Sequence, residues 1–234
     1  MNRRPWPLPA RSWAMRMRWR DLLFAHWAVE ESVVRKLIPA ELQVDLFDGR
    51  AFVGAVPFRM EGVTPHWVPA IRGLQAFPEL NLRTYVTAGG KRGVWFFSLD
   101  AGQRLAVRTA RKFFHLPYFD AKFEIENLAE TIAYSAVRTH RNAAAATFRA
   151  TYRPAGAVYA SAPGSLDAWL TDRYCLYVAD IAGKVYRGEI DHQPWPLQPA
   201  VAEIGVNTLG DWLGIEMKGL PHTLHFVKSL DVHA

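Results

Sequence analysis

Strand-like segments crowd the chain, each marked by alternating apolar and polar residues or by a short apolar run. Strands are predicted at residues 19–29, 42–60 (two strands joined at Asp48-Gly49), 78–86, 94–100, 121–127, 131–138, 144–152, 173–178, 184–190, 200–208 and 222–232. Helices are fewer and short, within residues 30–42, 103–115 and 164–173, and two prolines mark a loop at residues 63–73. This pattern predicts a mainly β fold of the α+β class, with a curled antiparallel sheet that closes into a cone or barrel.

The stretch "FPELNLRTYV" at residues 77–86 carries two interleaved rows of side chains. Because side chains alternate across a strand, Leu80, Leu82 and Val86 point to one side. The other side carries Phe77 and a polar row formed by Glu79, Asn81, Arg83 and Tyr85. The next strand, "VWFFSLD", is apolar on both faces and therefore needs cover on both sides. We predict that the polar row is enclosed with it, and a solvated polar face is the alternative.

The polar row contains the best candidates for chemistry. A buried Arg83 can grip a carboxylate through two hydrogen bonds, and Asn81 and Tyr85 can orient the same ligand. Glu79 can act as an acid or base if burial raises its pKa. The alternative is an ordinary ion pair between Glu79 and Arg83 along one strand face. Tyr118 follows Pro117 at the end of a predicted helix and either offers its phenol to a ligand or packs as a core residue.

The net charge of +6 is confined to one end of the chain. Its source is six arginines in the first twenty residues, namely Arg3, Arg4, Arg11, Arg16, Arg18 and Arg20. The remaining Lys and Arg residues balance the acidic residues at 22 each. From this distribution of charge we predict a basic arm at residues 1–15, which is dispensable for the fold, and a single domain at residues 16–234. Since nucleic-acid binders usually carry their basic patch on the folded body, we expect no nucleic-acid partner.

Other signals exclude several classes of protein. No apolar run approaches the length of a membrane span, so no membrane partner is expected. The single cysteine, Cys175, is predicted to be a core residue, and a cytoplasmic location is the simplest interpretation. No zinc-ligand spacing, Walker loop or dinucleotide-binding fingerprint is present, so no metal and no cofactor are expected. A homo-oligomer is compatible with the sequence.

Several motifs together resemble the YqjF-like family, a bacterial domain of unknown function. These are "RWRDLLFAHWAV", "LIPAEL", "FPELNLRTYV", "GVWFFSLDA", "LPYFDA", "RYCLY" and "PWPLQPA", spread over about residues 16–230. The resemblance implies membership of the acetoacetate decarboxylase-like fold group, in which a curled antiparallel β-structure encloses a pocket.

The segment "VRKLIPAELQVD" is also similar to acetoacetate decarboxylase itself. This similarity implies that Arg20 is the arginine that binds the substrate carboxylate, and it places Glu79 near an active-site glutamate. The enzyme's Schiff-base lysine follows a proline, and here Pro117 is followed by Tyr118, which cannot form an imine.

These features favour an internal pocket that binds a small organic acid or oxo-compound without a covalent bond. Arg20 and Arg83 would hold anionic oxygen, with Glu79, Asn81 and Tyr118 orienting the ligand or moving protons. The alternatives are a lyase or hydratase related to the decarboxylases that works without an imine, and a structural or interaction protein with a collapsed pocket.

Overall fold

The computed structural model describes residues 3–66 and 76–234, with the side chains at 106, 109, 110, 112 and 113 outside that description. The strands are Met15–Val29 (β1), Gln43–Val44 (β2), Ala51–Pro65 (β3), Phe77–Ala88 (β4), Lys91–Ala101 (β5), Tyr118–Leu128 (β6), Thr131–Arg138 (β7), Thr147–Pro154 (β8), Cys175–Ala179 (β9), Val185–Glu189 (β10), Asp191–His192 (β11), Gln198–Asn207 (β12) and Thr223–His233 (β13). The helices are Glu31–Arg35 (α1), Arg104–Phe114 (α2) and Leu166–Thr171 (α3), with a 3-10 turn at Asp211–Leu213. No helix in this part of the chain is long and apolar enough to cross a bilayer.

Nine strands close into a barrel, which confirms the predicted mainly β fold. Around the barrel, β4 is followed by β5, β6, β7, β8, β12, β13, β1 and β3, and β3 pairs with β4 again. Nearly all of these pairs are antiparallel. The exception within the barrel is β5 with β6, which are parallel because the chain crosses between them through α2.

The predicted hairpin around Asp48-Gly49 is reduced to a tight turn. Both residues have positive φ angles, 48° and 76°, as a two-residue hairpin turn requires, and Phe47 bridges to Arg50. However, β2 pairs with β4 and not with β3, so the hairpin prediction is wrong beyond this single bridge. The predicted loop at residues 63–73 is strand as far as Pro65, and its later part lies outside the described residues.

The barrel interior is filled by alternate residues of every wall strand. Ile132 and Tyr134 of β7 point inward beside Tyr152 of β8, and Leu80 and Leu82 of β4 belong to the same cluster. Cys175 also lies in this cluster, as predicted.

A buried ion pair lies among the interior-facing residues of the wall. Asp100 is opposite Leu80 in the sheet and accepts hydrogen bonds from Arg138 at 2.7 and 2.8 Å. Both side chains are almost fully buried. The carboxylate therefore has Arg138 as its charge partner inside the fold.

A second layer covers the outer face of β1, β3, β4 and β5. We call it the covering layer; its apolar members are Val107, Trp169, Leu170, Trp195 and Leu197. The sequence forms α3 here because the Ser165 hydroxyl caps it, accepting a hydrogen bond from the Ala168 amide at 3.2 Å. The wall between the two layers is therefore buried on both faces, as the apolar strand "VWFFSLD" predicted.

The start of the N-terminal arm packs onto the domain. Arg4 is buried, pairs with Glu189 and donates to the Ile190 carbonyl at 2.6 Å. Trp6 donates to the same Glu189 carboxylate at 2.7 Å. At least one arginine of the arm, Arg4, is therefore bound to the folded domain.

Deleting residues 1–12 is expected to lower the melting temperature, contrary to the expectation of a dispensable arm. Loss of the Arg4 and Trp6 hydrogen bonds costs about 1–3 kcal/mol, or about 5 °C for a domain of this size. Thermal melts of the truncated chain and of Arg4→Ala test this, with Arg11→Ala at an exposed position as the control. A truncated chain that melts with the intact one would show that these contacts add nothing.

Candidate functional site

The polar row is buried between the barrel wall and the covering layer. Glu79 is 2% exposed, Asn81 and Arg83 are each 7% exposed, and Tyr85 is fully buried. The prediction of an enclosed row is confirmed. The prediction that the row lies inside the curled sheet is wrong, because Leu80 and Leu82 of the same strand occupy the barrel interior. The row faces outward, beneath α3 and the proline-rich segment at 193–197.

Glu79 forms a hydrogen-bonded pair with Tyr118. The phenol donates to Oε2 at 2.9 Å. Burial raises the pKa of Glu79 to about 8, while the hydrogen bonds from Tyr118 and Asn81 act in the opposite direction. Burial and the neighbouring Glu79 raise the pKa of Tyr118 well above its usual value. At neutral pH the carboxyl group is therefore mostly protonated, and it can donate a proton or a hydrogen bond.

Arg83 is a buried cation without a carboxylate partner among the described residues. Its guanidinium lies 5.0 Å from the centre of the Phe24 ring. One Nη group donates to the Tyr85 hydroxyl at 3.2 Å and lies 3.4 Å from the Leu170 carbonyl oxygen. The Nε atom is buried and has no hydrogen-bond partner, and the same is true of Asn81 Oδ1. The alternative interpretation, an ordinary ion pair between Glu79 and Arg83, is not found among the described residues.

His26 completes the row and was missed by the sequence reasoning. Its Nε2 lies 2.6 Å from the Tyr85 hydroxyl and its Nδ1 lies 3.2 Å from the Thr223 hydroxyl. Burial, and then the charge of Arg83, lower its pKa well below the usual range, so the ring is neutral. Gly54 makes room for it, since a Cβ there would lie 2.9 Å from the ring. The available signal was a histidine inside the apolar strand "LLFAHWAV".

The structure does not bring Arg20 to the polar row. In the sheet, Arg20 lies opposite Arg59, and Arg59 lies opposite Pro78. Paired residues share a face, so Arg20 is on the side of Pro78, away from Glu79. Its side chain is 36% exposed and lies 3.7 Å from Glu61. The predicted placement of Arg20 within reach of the row is therefore wrong.

Tyr118 occupies the position at which the resemblance would require the Schiff-base lysine. Lys122, nearby in sequence, is 72% exposed and pairs with Glu124 on the outside of the barrel. The side chain of Lys112 lies outside the described residues.

No imine is expected to form when acetoacetate or pyruvate is added and the mixture is reduced with borohydride. The physical reason is that the phenol of Tyr118 has no amine to attack a carbonyl. Intact mass spectrometry measures the result, with Lys122→Ala as a check on surface labelling. Stoichiometric addition at Lys112 or Lys122 would contradict the expectation.

Two surface openings lie away from the polar row. One, of about 430 Å³, is on the outer face of β6, β7, β8 and β12, and includes Glu126 and Arg149. The other, of about 740 Å³, lies between the start of α2 and β6 and includes Arg104 and Asp120. Neither is lined by the residues of the polar row. Within the described residues, no cluster of histidine, cysteine and carboxylate groups is arranged to hold a metal ion.

The barrel and its covering layer define the class of fold. An acetoacetate decarboxylase from Legionella pneumophila superimposes with a TM-score of 0.62 at 13% sequence identity, covering 98% of this chain and 89% of that one. The enduracididine biosynthesis enzyme MppR, complexed with pyruvate, gives a TM-score of 0.61 at 10% identity, covering 96% of this chain and 89% of its own. The chain therefore has the acetoacetate decarboxylase-like fold, and these identities establish the fold alone.

The family follows from sequence. Residues 16–231 match the family DUF2071, described as an uncharacterized conserved protein. The uncharacterized protein YqjF of Bacillus subtilis (strain 168) is 47% identical over 225 residues, which is 96% of this chain and 92% of the relative. The chain belongs to this family, which confirms the resemblance found in its motifs.

Proposed function

We propose that the chain binds a small organic acid or oxo-compound non-covalently at the polar row, in the cytoplasm. The observation that carries this proposal is Arg83, a buried guanidinium with an unpaired Nε and no carboxylate partner among the described residues. A buried cation without a counter-ion is costly, and a ligand carboxylate would satisfy both its charge and its free N–H.

The groups around Arg83 suit an oxo-acid. Glu79 lies on the same strand face as Arg83, is mostly protonated at neutral pH and can donate a hydrogen bond to a ligand carbonyl oxygen. MppR, which shares the fold, is described in complex with pyruvate. That likeness supports the choice of short 2-oxo acids as the first ligands to test.

Pyruvate and related short oxo-acids are expected to raise the melting temperature of the intact chain, and Arg83→Met should abolish the shift. Removing an unpaired buried charge should leave the ligand-free protein at least as stable, so loss of binding will not reflect unfolding. Arg20→Met is the matched control, because Arg20 lies on the opposite face and should leave the shift unchanged. Equal shifts in the two variants would overturn the proposal, and no shift with any small carboxylate would favour a structural or interaction protein.

The second candidate is a lyase or hydratase that works without an imine. The hydrogen-bonded pair of Glu79 and Tyr118 favours it, because a carboxyl group with a pKa of about 8 can transfer protons near neutral pH. Turnover of an oxo-acid that is lost in Glu79→Gln, with binding retained, would distinguish this enzyme from a binding protein.

A further inference from the structure

A second histidine, His225, lies on the same face of the sheet as the polar row. It is opposite Phe24 across β1 and β13, and directly paired residues share a face. Arg83 reaches the same Phe24 from β4, with its guanidinium 5.0 Å from the ring centre. The rings of Phe24 and His26 stack at 5.9 Å on this face. Arg83 and His225 therefore lie on one face of the sheet, on strands to either side of Phe24.

His225 is oriented by a carboxylate of the covering layer. Its Nε2 lies 3.1 Å from Oδ1 of Asp167 in α3. The other oxygen of Asp167 accepts a hydrogen bond from the Tyr159 hydroxyl at 2.8 Å. A carboxylate accepts hydrogen bonds, so the ring proton lies on Nε2 and the lone pair lies on Nδ1.

The Nδ1 atom of His225 is buried and has no hydrogen-bond partner. The side chain is only 7% exposed, so this acceptor is shielded from bulk solvent. Burial lowers the pKa of His225, and the opposing effect of Asp167 is smaller. The ring is therefore neutral near pH 7. By contrast, both nitrogens of His26 are hydrogen-bonded, and Glu79 is mostly protonated. Of these three groups, only His225 presents a free base.

We propose that His225, held by Asp167, is a general base that removes a proton from the carbon next to the carbonyl of an oxo-acid bound at Arg83. This inference rests on the proposed function and gives it a reaction class, enolisation. The C–H bond breaks and its proton moves to Nδ1. The electron pair of the C–H bond forms a carbon–carbon double bond. The π electron pair of the carbonyl moves onto its oxygen, which gives an enolate. Return of a proton from the imidazolium to carbon reverses the step, so no other reactant is consumed.

Hydrogen–deuterium exchange at the carbon next to the carbonyl tests the inference directly. The intact chain is mixed with pyruvate or 2-oxobutyrate in D₂O, and NMR follows loss of the C3 proton signal. The chain is expected to accelerate exchange over buffer, and His225→Ala is expected to lower that acceleration about 100-fold, a typical contribution of a general base. The thermal shift with the same acid should persist in this variant, because Arg83 is intact.

Three further measurements separate catalysis from structure. Added imidazole should restore part of the exchange in His225→Ala. Asp167→Asn should lower the exchange rate about tenfold at saturating acid while leaving the concentration for half-maximal rate unchanged, as expected for a positioning residue. The matched control is His140→Ala, which breaks another His–Asp pair, with Asp120 at 3.1 Å on the outside of the barrel, and should exchange like the intact chain.

The outcomes distinguish this inference from the function on which it rests. Binding of oxo-acids without accelerated exchange, or unchanged exchange in His225→Ala, overturns the role of His225 and leaves the proposed function standing. The absence of any thermal shift with these acids overturns both.

Discussion

Glu79→Gln is expected to remove the loss of folding stability that Glu79 itself contributes as the pH rises from about 5 to 8. The folded chain holds the Glu79 proton with a pKa of about 8, whereas an unfolded chain releases it near the usual value for glutamate. Between these two values the folded state binds the additional proton, so stability decreases as the pH rises through this window. The effect amounts to about 3–4 kcal/mol.

Urea unfolding of the two proteins at several pH values measures this effect as a difference. The variant should gain stability relative to the parent as the pH rises, because glutamine keeps an oxygen for the Tyr118 phenol and carries no charge. Glu124→Gln, which alters an exposed carboxylate on the barrel surface, should change little across the same range. A constant difference between Glu79→Gln and the parent at all pH values would show that Glu79 is ionised in the folded chain.

Arg138→Met is expected to destabilise the fold by about 3–5 kcal/mol, because it leaves the Asp100 carboxylate buried without its charge partner. Ser98 is the remaining neighbour, at 3.3 Å, and a neutral hydroxyl does not replace the two charged hydrogen bonds. For a domain of this size the loss corresponds to a fall in melting temperature of about 10 °C.

A double-mutant cycle tests whether the unpaired Asp100 carboxylate causes this loss of stability. Adding Asp100→Asn to Arg138→Met should recover a large part of the lost stability, because the buried group becomes neutral. Lys218→Met is the control: its ion pair with Glu216 is about 80% exposed and should matter little. If the double variant is no more stable than Arg138→Met, the loss arises from packing alone.

Local patterns in the sequence predicted most of the strands and a short helix. The strand at Thr131–Arg138 was predicted with its observed limits, since its apolar residues alternate without interruption. A short helix was predicted within residues 164–173, and α3 lies there with Ser165 as its N-cap. Such features depend on neighbours within a few residues, which is why one sequence suffices to predict them.

Features that depend on distant pairing were missed. The site role of Arg20 was inferred from a weak similarity to acetoacetate decarboxylase. In the structure, Arg20 lies on the other face of the sheet. The strand is irregular at this point: Asp21 has a left-handed φ of 51°, and the register shifts after Arg20. The polar row was predicted as enclosed because its neighbour strand is apolar on both faces. The side on which it lies depends on how nine strands close, and no local pattern encodes that.

His225 and Asp167 illustrate the same limit. They are 58 residues apart in the chain and meet only because α3 is laid over the barrel wall at β13. Neither residue belongs to a motif that would connect them.

The two faces of strand β4 have different surroundings. Leu80, Leu82 and Val86 hold the barrel together from inside, while the interleaved polar row faces the covering layer. Odd and even positions of a single strand can therefore diverge separately during evolution. If the polar row binds a ligand as proposed, substitutions at the odd positions change the ligand and leave the scaffold intact, so relatives that share this barrel need share neither ligand nor chemistry.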